Sequence, residues 1–214
     1  MTTQSITSLM GLFAPFTRKR NRYLQSRESF YEGRNYLSNA ERLKSFVSGT
    51  STDQIITRKP IKFYGLEFGT SVKEATSHLG KPNYTSKKSS LLSRHKTIYY
   101  RINIAQVKCI LQLHFLHDEF FLGLIEIRSF GLEFKKEVAD LVRKKYNIDN
   151  ENWEGKIVDD ARHKIELKNN VVPYIVYQSG NSEIKESIRL QLEEKHLYKR
   201  KHYDKRSDLI LEMI

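Results

Sequence analysis

The feature that most constrains the fold is an alternation of apolar and polar residues between positions 97 and 128. Its first apolar set is Ile98, Tyr100, Ile102 and Ile104. Its second, after Ala105-Gln106, is Val107, Cys109, Leu111, Leu113 and Phe115. Successive side chains of a strand point to opposite faces, so this period of two predicts strands with one buried face. His117-Asp118-Glu119 predicts a turn, and a third strand over 121–128 completes an antiparallel meander.

A helix is predicted shortly before this meander. Thr70 or Ser71 can cap its first turn, and Gly80 followed by Pro82 ends it. The tetrapeptide Gly65-Leu66-Glu67-Phe68 precedes this helix and returns as Gly131-Leu132-Glu133-Phe134 before a second helical pattern. We therefore expect an internal duplication, with units of about 61–128 and 129–194.

The second unit is expected to supply strands over 157–168, 171–178 and 187–192, with Asn169-Asn170 as a hairpin turn. The expected fold class is α+β: two tandem helix-plus-antiparallel-strands units sharing a sheet, an N-terminal helical extension and a basic C-terminal helix. The predicted boundaries are 1–54 for the extension, 55–194 for the duplicated domain and 195–214 for the basic tail. Within the extension, Ser38-Asn39-Ala40-Glu41 predicts a capping box.

One segment of the first unit resembles a known family. Gly69-Thr70-Ser71-Val72-Lys73-Glu74-Ala75, then Leu79-Gly80-Lys81-Pro82 and later Tyr99-Tyr100, is similar to the repeat of SmpA/OmlA-type small outer-membrane lipoproteins. It also resembles the related β-lactamase-inhibitor-protein fold, in which two helix-plus-strands units share one sheet. The resemblance implies a non-catalytic protein whose sheet grips another protein.

The formal net charge of +12 is concentrated at the two ends of the chain. Basic ends favour nucleic acid, acidic lipid or an acidic protein surface as a partner, although they are also typical of an ordinary solvated surface. The residues expected to meet an anionic surface are Arg18, Lys19, Arg20, Arg22, Lys199, Arg200, Lys201, Lys205 and Arg206.

The sequence predicts a cytoplasmic protein without a transmembrane segment. No apolar run approaches the roughly 18–20 residues that a membrane span needs. The apolar stretch 6–16 precedes the first basic cluster, which is the reverse of the order in a secretory signal. The single Cys109 cannot form an intrachain disulfide, and we expect it to be a small buried residue. A peripheral membrane contact through the apolar N-terminal stretch stays open.

One face of the predicted meander is expected to bind a protein partner. Its residues are Tyr99, Arg101, Gln112, His114 and Arg128, and tyrosine and arginine are the types that anchor interfaces. The same face could instead stack single-stranded bases on Tyr99 and hold phosphates with its arginines. A third interpretation is an ordinary face that solvent or helices cover.

Two clusters resemble metal or acid–base sites, namely His114 with His117-Asp118-Glu119, and Asp159-Asp160 with His163. On a strand, positions 114 and 117 point to opposite faces, and acidic residues are ordinary in turns, so we predict no metal and no cofactor. No phosphate-binding glycine motif or serine-nucleophile elbow is present. The expected function is therefore a non-catalytic cytoplasmic binding or adaptor protein. The alternatives are a nucleic-acid-binding protein and an enzyme with an unrecognised site.

Overall fold

The computed structural model describes residues 26–48, 54–86, 91–104, 106–128, 132–148, 155–169 and 172–196. The fold is α+β, as the sequence predicts. Its helices are α1 (Arg27–Glu32), a short 3-10 helix (Tyr36–Ser38), α2 (Ala40–Ser48), α3 (Val72–Leu79), α4 (Leu132–Tyr146) and α5, described over 182–196. Its strands are β1 (Ile55–Thr57), β2 (Tyr84–Ser86), β3 (His95–Ile104), β4 (Val107–Leu116), β5 (Glu119–Ile127), β6 (Lys156–Asp159), β7 (Lys164–Asn169) and β8 (Pro173–Gln178).

These strands form one sheet in the order β1-β6-β7-β8-β5-β4-β3-β2. All neighbours are antiparallel except β1, which pairs with β6 in parallel. The predicted meander is its centre, with Ile98 opposite Leu113. His117 and Asp118 join β4 to β5 with φ of 52° and 71°, and positive φ at both residues is the geometry of a two-residue type I′ hairpin. The alternation of the sequence therefore becomes a regular antiparallel ladder.

Helices cover both faces of the sheet. On the first, which we call the apolar face, Ala75 of α3 and Val142 of α4 pack with strand residues such as Phe115. On the second, which we call the polar face, the 3-10 helix, α2 and α5 pack on residues such as Leu122 and Leu124. The strands also place buried polar side chains there, namely Thr97, Gln112, His114 and Glu126. The expectation of a sheet with one open face is therefore wrong for the middle of this second face.

The predicted strand over 187–192 is wrong, because these residues belong to α5. The alternation of Ile188, Leu190 and Leu192 suggested a strand. A helical period also fits, since Ile184, Ile188 and Leu192 lie four residues apart and all pack in the polar-face core. Leu190 points away from that core and is exposed. The helical period therefore explains which residues of this segment are buried, whereas the alternation of a strand does not.

The predicted strand over 157–168 is two strands, β6 and β7, joined by a tight turn over 160–163. The carboxylate of Asp159 accepts the backbone N–H of His163 at 2.8 Å, which closes this turn. Pro173 is the first residue of β8, a position where the missing N–H of proline is tolerated. Asn169 is the last residue of β7, and Asn170 lies outside the described residues.

Two helix caps were predicted, and one of them is confirmed. The Ser71 side chain accepts the Glu74 N–H while the Glu74 carboxylate accepts the Ser71 N–H, which is a complete capping box for α3. The box predicted at Ser38 is wrong. Ser38 ends the 3-10 helix, and the Asn39 side chain instead accepts the Glu41 N–H at 2.8 Å at the start of α2.

The two GLEF tetrapeptides lie in different local structures. Leu66 belongs to a turn that Phe63 and Leu66 close with mutual backbone hydrogen bonds, whereas Leu132 begins α4. Both segments lead through a helix into antiparallel strands of the shared sheet. The first then supplies four strands, β2 to β5, and the second supplies three, β6 to β8. The internal duplication stays a prediction.

We expect Gly123→Ala to destabilise the protein by about 1–3 kcal/mol, because a Cβ there overpacks the apolar face. Such a Cβ would lie between 2.4 and 2.8 Å from three atoms of the Phe63 ring, which packs against the strand at this point. Chemical denaturation measures the change. In a double-mutant cycle, adding Phe63→Leu to Gly123→Ala should cost less free energy of unfolding than Phe63→Leu costs in the original protein. Strict additivity of the two free-energy changes would contradict this packing.

Candidate functional site: a basic surface at the open end of the sheet

Three of the five residues predicted to bind a partner are buried by the chain itself. Tyr99, Gln112 and His114 each have 0% relative exposure. The Tyr99 ring lies 5.1 Å from the ring of Tyr31 in α1, measured between centroids. The prediction of an exposed interface is therefore wrong for these three residues, because the N-terminal helices and α5 occupy the middle of the polar face.

Gln112 holds the N-terminal helical segment on the sheet. Its side-chain oxygen accepts the N–H of Tyr36 at 3.1 Å, and its side-chain nitrogen donates to the carbonyl of Arg34 at 2.8 Å. A buried amide satisfied on both sides by backbone groups fixes the position of a segment more strongly than apolar contact alone. The residue predicted to bind a separate protein thus binds a segment of its own chain.

We expect Gln112→Leu to destabilise the protein by about 2 kcal/mol or more, because it leaves the Tyr36 N–H and the Arg34 carbonyl without their partner. Amide hydrogen exchange should rise over residues 27–48 more than in β4 and β5. Thr85→Leu, at an exposed strand position, is the matched control and should change little. Unchanged exchange over 27–48 would contradict the role of Gln112.

His114 forms a buried pair with His95. The Nε2 atom of His95 lies 3.1 Å from Nδ1 of His114, the two ring planes are nearly parallel, and Thr97 Oγ1 lies 3.2 Å from the same Nδ1. Only one of the two facing nitrogens can hold a proton. Burial lowers the pKa of His95 to about 4 and also lowers the pKa of His114, which the neighbouring His95 lowers further. The pair is therefore neutral and structural at neutral pH.

Because the histidine pair is buried and neutral, we expect the protein to lose stability in mild acid. The pKa of His95 is about 6.5 in the unfolded chain and about 4 in the folded protein. Its contribution to the free energy of unfolding is therefore complete above pH 6.5 and is lost as the pH falls towards 4. The upper limit for this one residue is about 3 kcal/mol. Urea unfolding midpoints measured across this range should fall less in a His95→Gln/His114→Gln variant than in the original protein. The control His78→Gln, exposed on α3, should retain the full pH dependence.

The other two predicted residues, Arg101 and Arg128, do come together. They lie where the polar face extends beyond the covering helices, and both are exposed. Their guanidinium carbons lie 4.6 and 5.4 Å from the centroid of the Phe30 ring, with that of Arg34 at 3.9 Å. Lys108 joins them, because its carbonyl accepts the N–H of Arg128 at 2.9 Å. We call Arg101, Lys108, Arg128 and the ring of Phe30 the basic surface.

The basic surface has an excess of positive charge. The buried carboxylate of Glu126 lies 3.5 Å from Arg34, and burial raises its pKa although Arg34 and Arg128 oppose that rise. Among the described residues, no carboxylate lies within ion-pair distance of Arg101, Lys108 or Arg128. A depression of about 390 Å³ opens between these three cations. The arrangement suits an anionic partner.

Phe30 is the member of this surface that sequence reasoning missed. Tyr31 beside it is buried and stacks on Tyr84, while Phe30 stays half-buried beneath the guanidinium groups. The adjacent aromatic residues Phe30 and Tyr31 indicate by themselves no more than one face of a helix. Nothing local in the sequence relates Phe30 to Arg101, since strand pairing and the packing of α1 bring them together.

The remaining predicted features differ in their outcome. The basic residues of both ends, from Arg18 to Arg22 and from Lys199 to Arg206, lie outside the described residues. Cys109 is a buried free thiol whose pKa burial raises, as its strand position predicts. Asp159 accepts the backbone N–H groups of Ile61 and His163, so it is structural.

Within the part of the chain that the structure describes, no three histidine, cysteine, aspartate or glutamate residues are grouped so that they could hold a metal ion. No helix among these residues has both the length and the apolar character that crossing a membrane requires.

Comparison with known proteins leaves the basic surface to be interpreted from its own chemistry. No protein family, curated protein or solved structure matches this chain. The resemblance to SmpA/OmlA-type proteins therefore stays a prediction.

Proposed function

We propose that this chain is a non-catalytic binding protein that recognises an acidic segment of a partner protein through its basic surface. The observation behind this proposal is the placement of the Arg101 and Arg128 guanidinium groups over one Phe30 ring, with no carboxylate within ion-pair distance of either among the described residues. The resemblance to the lipoprotein and inhibitor folds implies the same class of role. The compartment we propose is the cytoplasm, because a single buried cysteine suits a reducing environment.

Contact with the Phe30 ring prepares the two arginines for carboxylates. A guanidinium group that lies over an aromatic ring keeps N–H donors free to pair with an anion. Because the Phe30 ring already limits the motion of these side chains, less conformational entropy is lost when a carboxylate binds. Asn103 is exposed beside Lys108 on the neighbouring strand and supplies an amide for additional hydrogen bonds.

A protein partner accounts for this surface better than a single-stranded nucleic acid does. Sequence-tolerant binding of single strands combines cations with aromatic rings on which bases stack. Tyr99, the ring expected to serve as such a platform, is buried, and guanidinium groups cover Phe30. The surface therefore keeps the contacts for phosphates but lacks an open aromatic platform. The histidine pair is buried too, so it supplies no acid–base chemistry to a substrate at this surface.

The direct test is charge reversal of the basic surface. In the full chain, Arg101→Glu/Lys108→Glu/Arg128→Glu should weaken binding of an oligoglutamate peptide at least about tenfold, because three charge-assisted contacts become repulsive. Fluorescence anisotropy of the labelled peptide measures the affinity. The control Lys73→Glu/Lys81→Glu/Lys144→Glu changes the net charge equally at exposed positions elsewhere and should bind nearly as well as the original protein.

A single-stranded oligonucleotide of equal charge, measured in the same assay, separates the two classes of partner. Tighter binding of the oligonucleotide, with a steep loss between about 50 and about 200 mM salt, would favour the nucleic-acid alternative. Equal weakening of both triple variants would show that only net charge matters and would contradict the proposed surface. Thermal unfolding of each variant establishes that it is folded.

A further inference from the structure

A second cationic site lies at the other end of the polar face, towards the edge strand β1. A cavity of about 530 Å³ opens there between the strands and the start of α5. This volume is within the range of sites for small molecules. Three cationic side chains line the cavity, namely Arg162, Lys164 and Lys185. We call it the edge cavity.

The walls of the edge cavity are held in place by backbone contacts. His163 Nδ1 accepts the N–H of Gly180 at 2.9 Å, which joins the β6–β7 turn to the segment that leads into α5. Gly180 is required for this approach, since a Cβ there would lie 2.3 Å from the carbonyl oxygen of Ala161. Arg162 adopts a left-handed conformation with φ of 62° in the same turn. Arg162 and Lys185 therefore both line the edge cavity, and these contacts fix the backbone around it.

The cations of the edge cavity are poorly neutralised. Burial lowers the pKa of Lys185, and the charges of Lys164 and Arg162 lower it further. Burial also lowers the pKa of Lys164, although Glu166 opposes this at an N–O distance of 4.0 Å. Among the described residues, no carboxylate lies within ion-pair distance of Arg162 or Lys185. A bound anion would relieve the repulsion between these groups.

Two aspartates also line the cavity, and they differ in how their charges are placed relative to its cations. Both carboxylate oxygens of Asp159 accept backbone N–H groups, from Ile61 and His163, at 2.8 Å each. Its charge is therefore partly compensated by the fold. Asp160 is exposed at the turn and does not contribute to the pKa shift of either lysine.

The opposite wall of the edge cavity is apolar. Phe46 of α2, Ile56 of β1 and Val158 of β6 line it, and Ile56 has a relative exposure of 76%. The Lys185 Nζ atom lies 6.0 Å from the centroid of the Phe46 ring, so the cationic and apolar walls are close together. A ligand that joins an anionic group to a small apolar body would contact both walls at once.

We propose that the edge cavity binds a small phosphate monoester, with the phosphoryl group at Arg162, Lys164 and Lys185 and the organic part against Phe46, Ile56 and Val158. Three convergent cations match a doubly charged phosphoryl group, and arginine pairs with it through two N–H groups. This site goes beyond the proposed function, because it lies at the opposite end of the polar face from the basic surface.

Calorimetric titration of the full chain with phenyl phosphate and with inorganic phosphate tests the proposal. Both should bind, and phenyl phosphate should bind more tightly because it reaches the apolar wall. Lys185→Gln should weaken phenyl phosphate at least about tenfold, since it removes one charge-assisted contact. Lys81→Gln, with the same charge change at an exposed position outside both cationic sites, should leave the affinity unchanged.

Folding of the variants does not confound this test. Lys185→Gln removes a repelled cation, so its thermal unfolding temperature without ligand should be at least that of the original protein. Arg162→Gln, at an exposed turn position, supplies a second variant with the same expected loss. Absence of phenyl phosphate binding, or equal weakening by Lys81→Gln, would overturn the proposal. Equal affinity for inorganic phosphate and phenyl phosphate would overturn the assignment of the apolar wall.

Discussion

The arrangement of this protein depends on the hydrogen bonds that Gln112 makes to the backbone of Arg34 and Tyr36. They seat the N-terminal helical segment on the polar face, where Tyr31 then packs on Tyr99 and Arg34 reaches Glu126. A buried amide that is satisfied on both sides is costly to disrupt, because separation would leave polar groups without partners inside the protein. The middle of the polar face is consequently closed, and only its ends remain accessible.

Much of the fold follows from local patterns in the sequence. A period of two predicts β3, β4 and β5, and a capping residue at Thr70 or Ser71 predicts the start of α3, because each signal depends on residues close together in the chain. The same patterns are ambiguous where two periods fit at once, as in α5, where Ile184, Ile188 and Leu192 decide for a helix. Burial of Ile188 against distant strands settles that choice, and no local pattern contains it.

The candidate sites were predictable only in part, for a related reason. Alternation places Gln112 and Arg101 on the same face, but it does not tell whether solvent or another segment of the chain meets them. Gln112 lies beneath the N-terminal segment, whereas Arg101 lies beyond it on an exposed part of the sheet. The Phe30 ring under Arg101 and the approach of Lys185 to Lys164 both join elements far apart in sequence. Such contacts are a property of the assembled fold.

The polar face shows where a protein of this kind has room for ligands. In its middle, three buried polar side chains interact with another part of the chain: Gln112 with the backbone, Glu126 with Arg34, and His114 with His95. Towards the ends, Arg101 on β3 and Lys185 on α5 have no carboxylate within ion-pair distance among the described residues. The fold holds this strand and this helix in place without a ligand, so an anion can bind there with little backbone rearrangement. The packing that closes the centre of the polar face therefore leaves cationic side chains accessible to a ligand at its two ends.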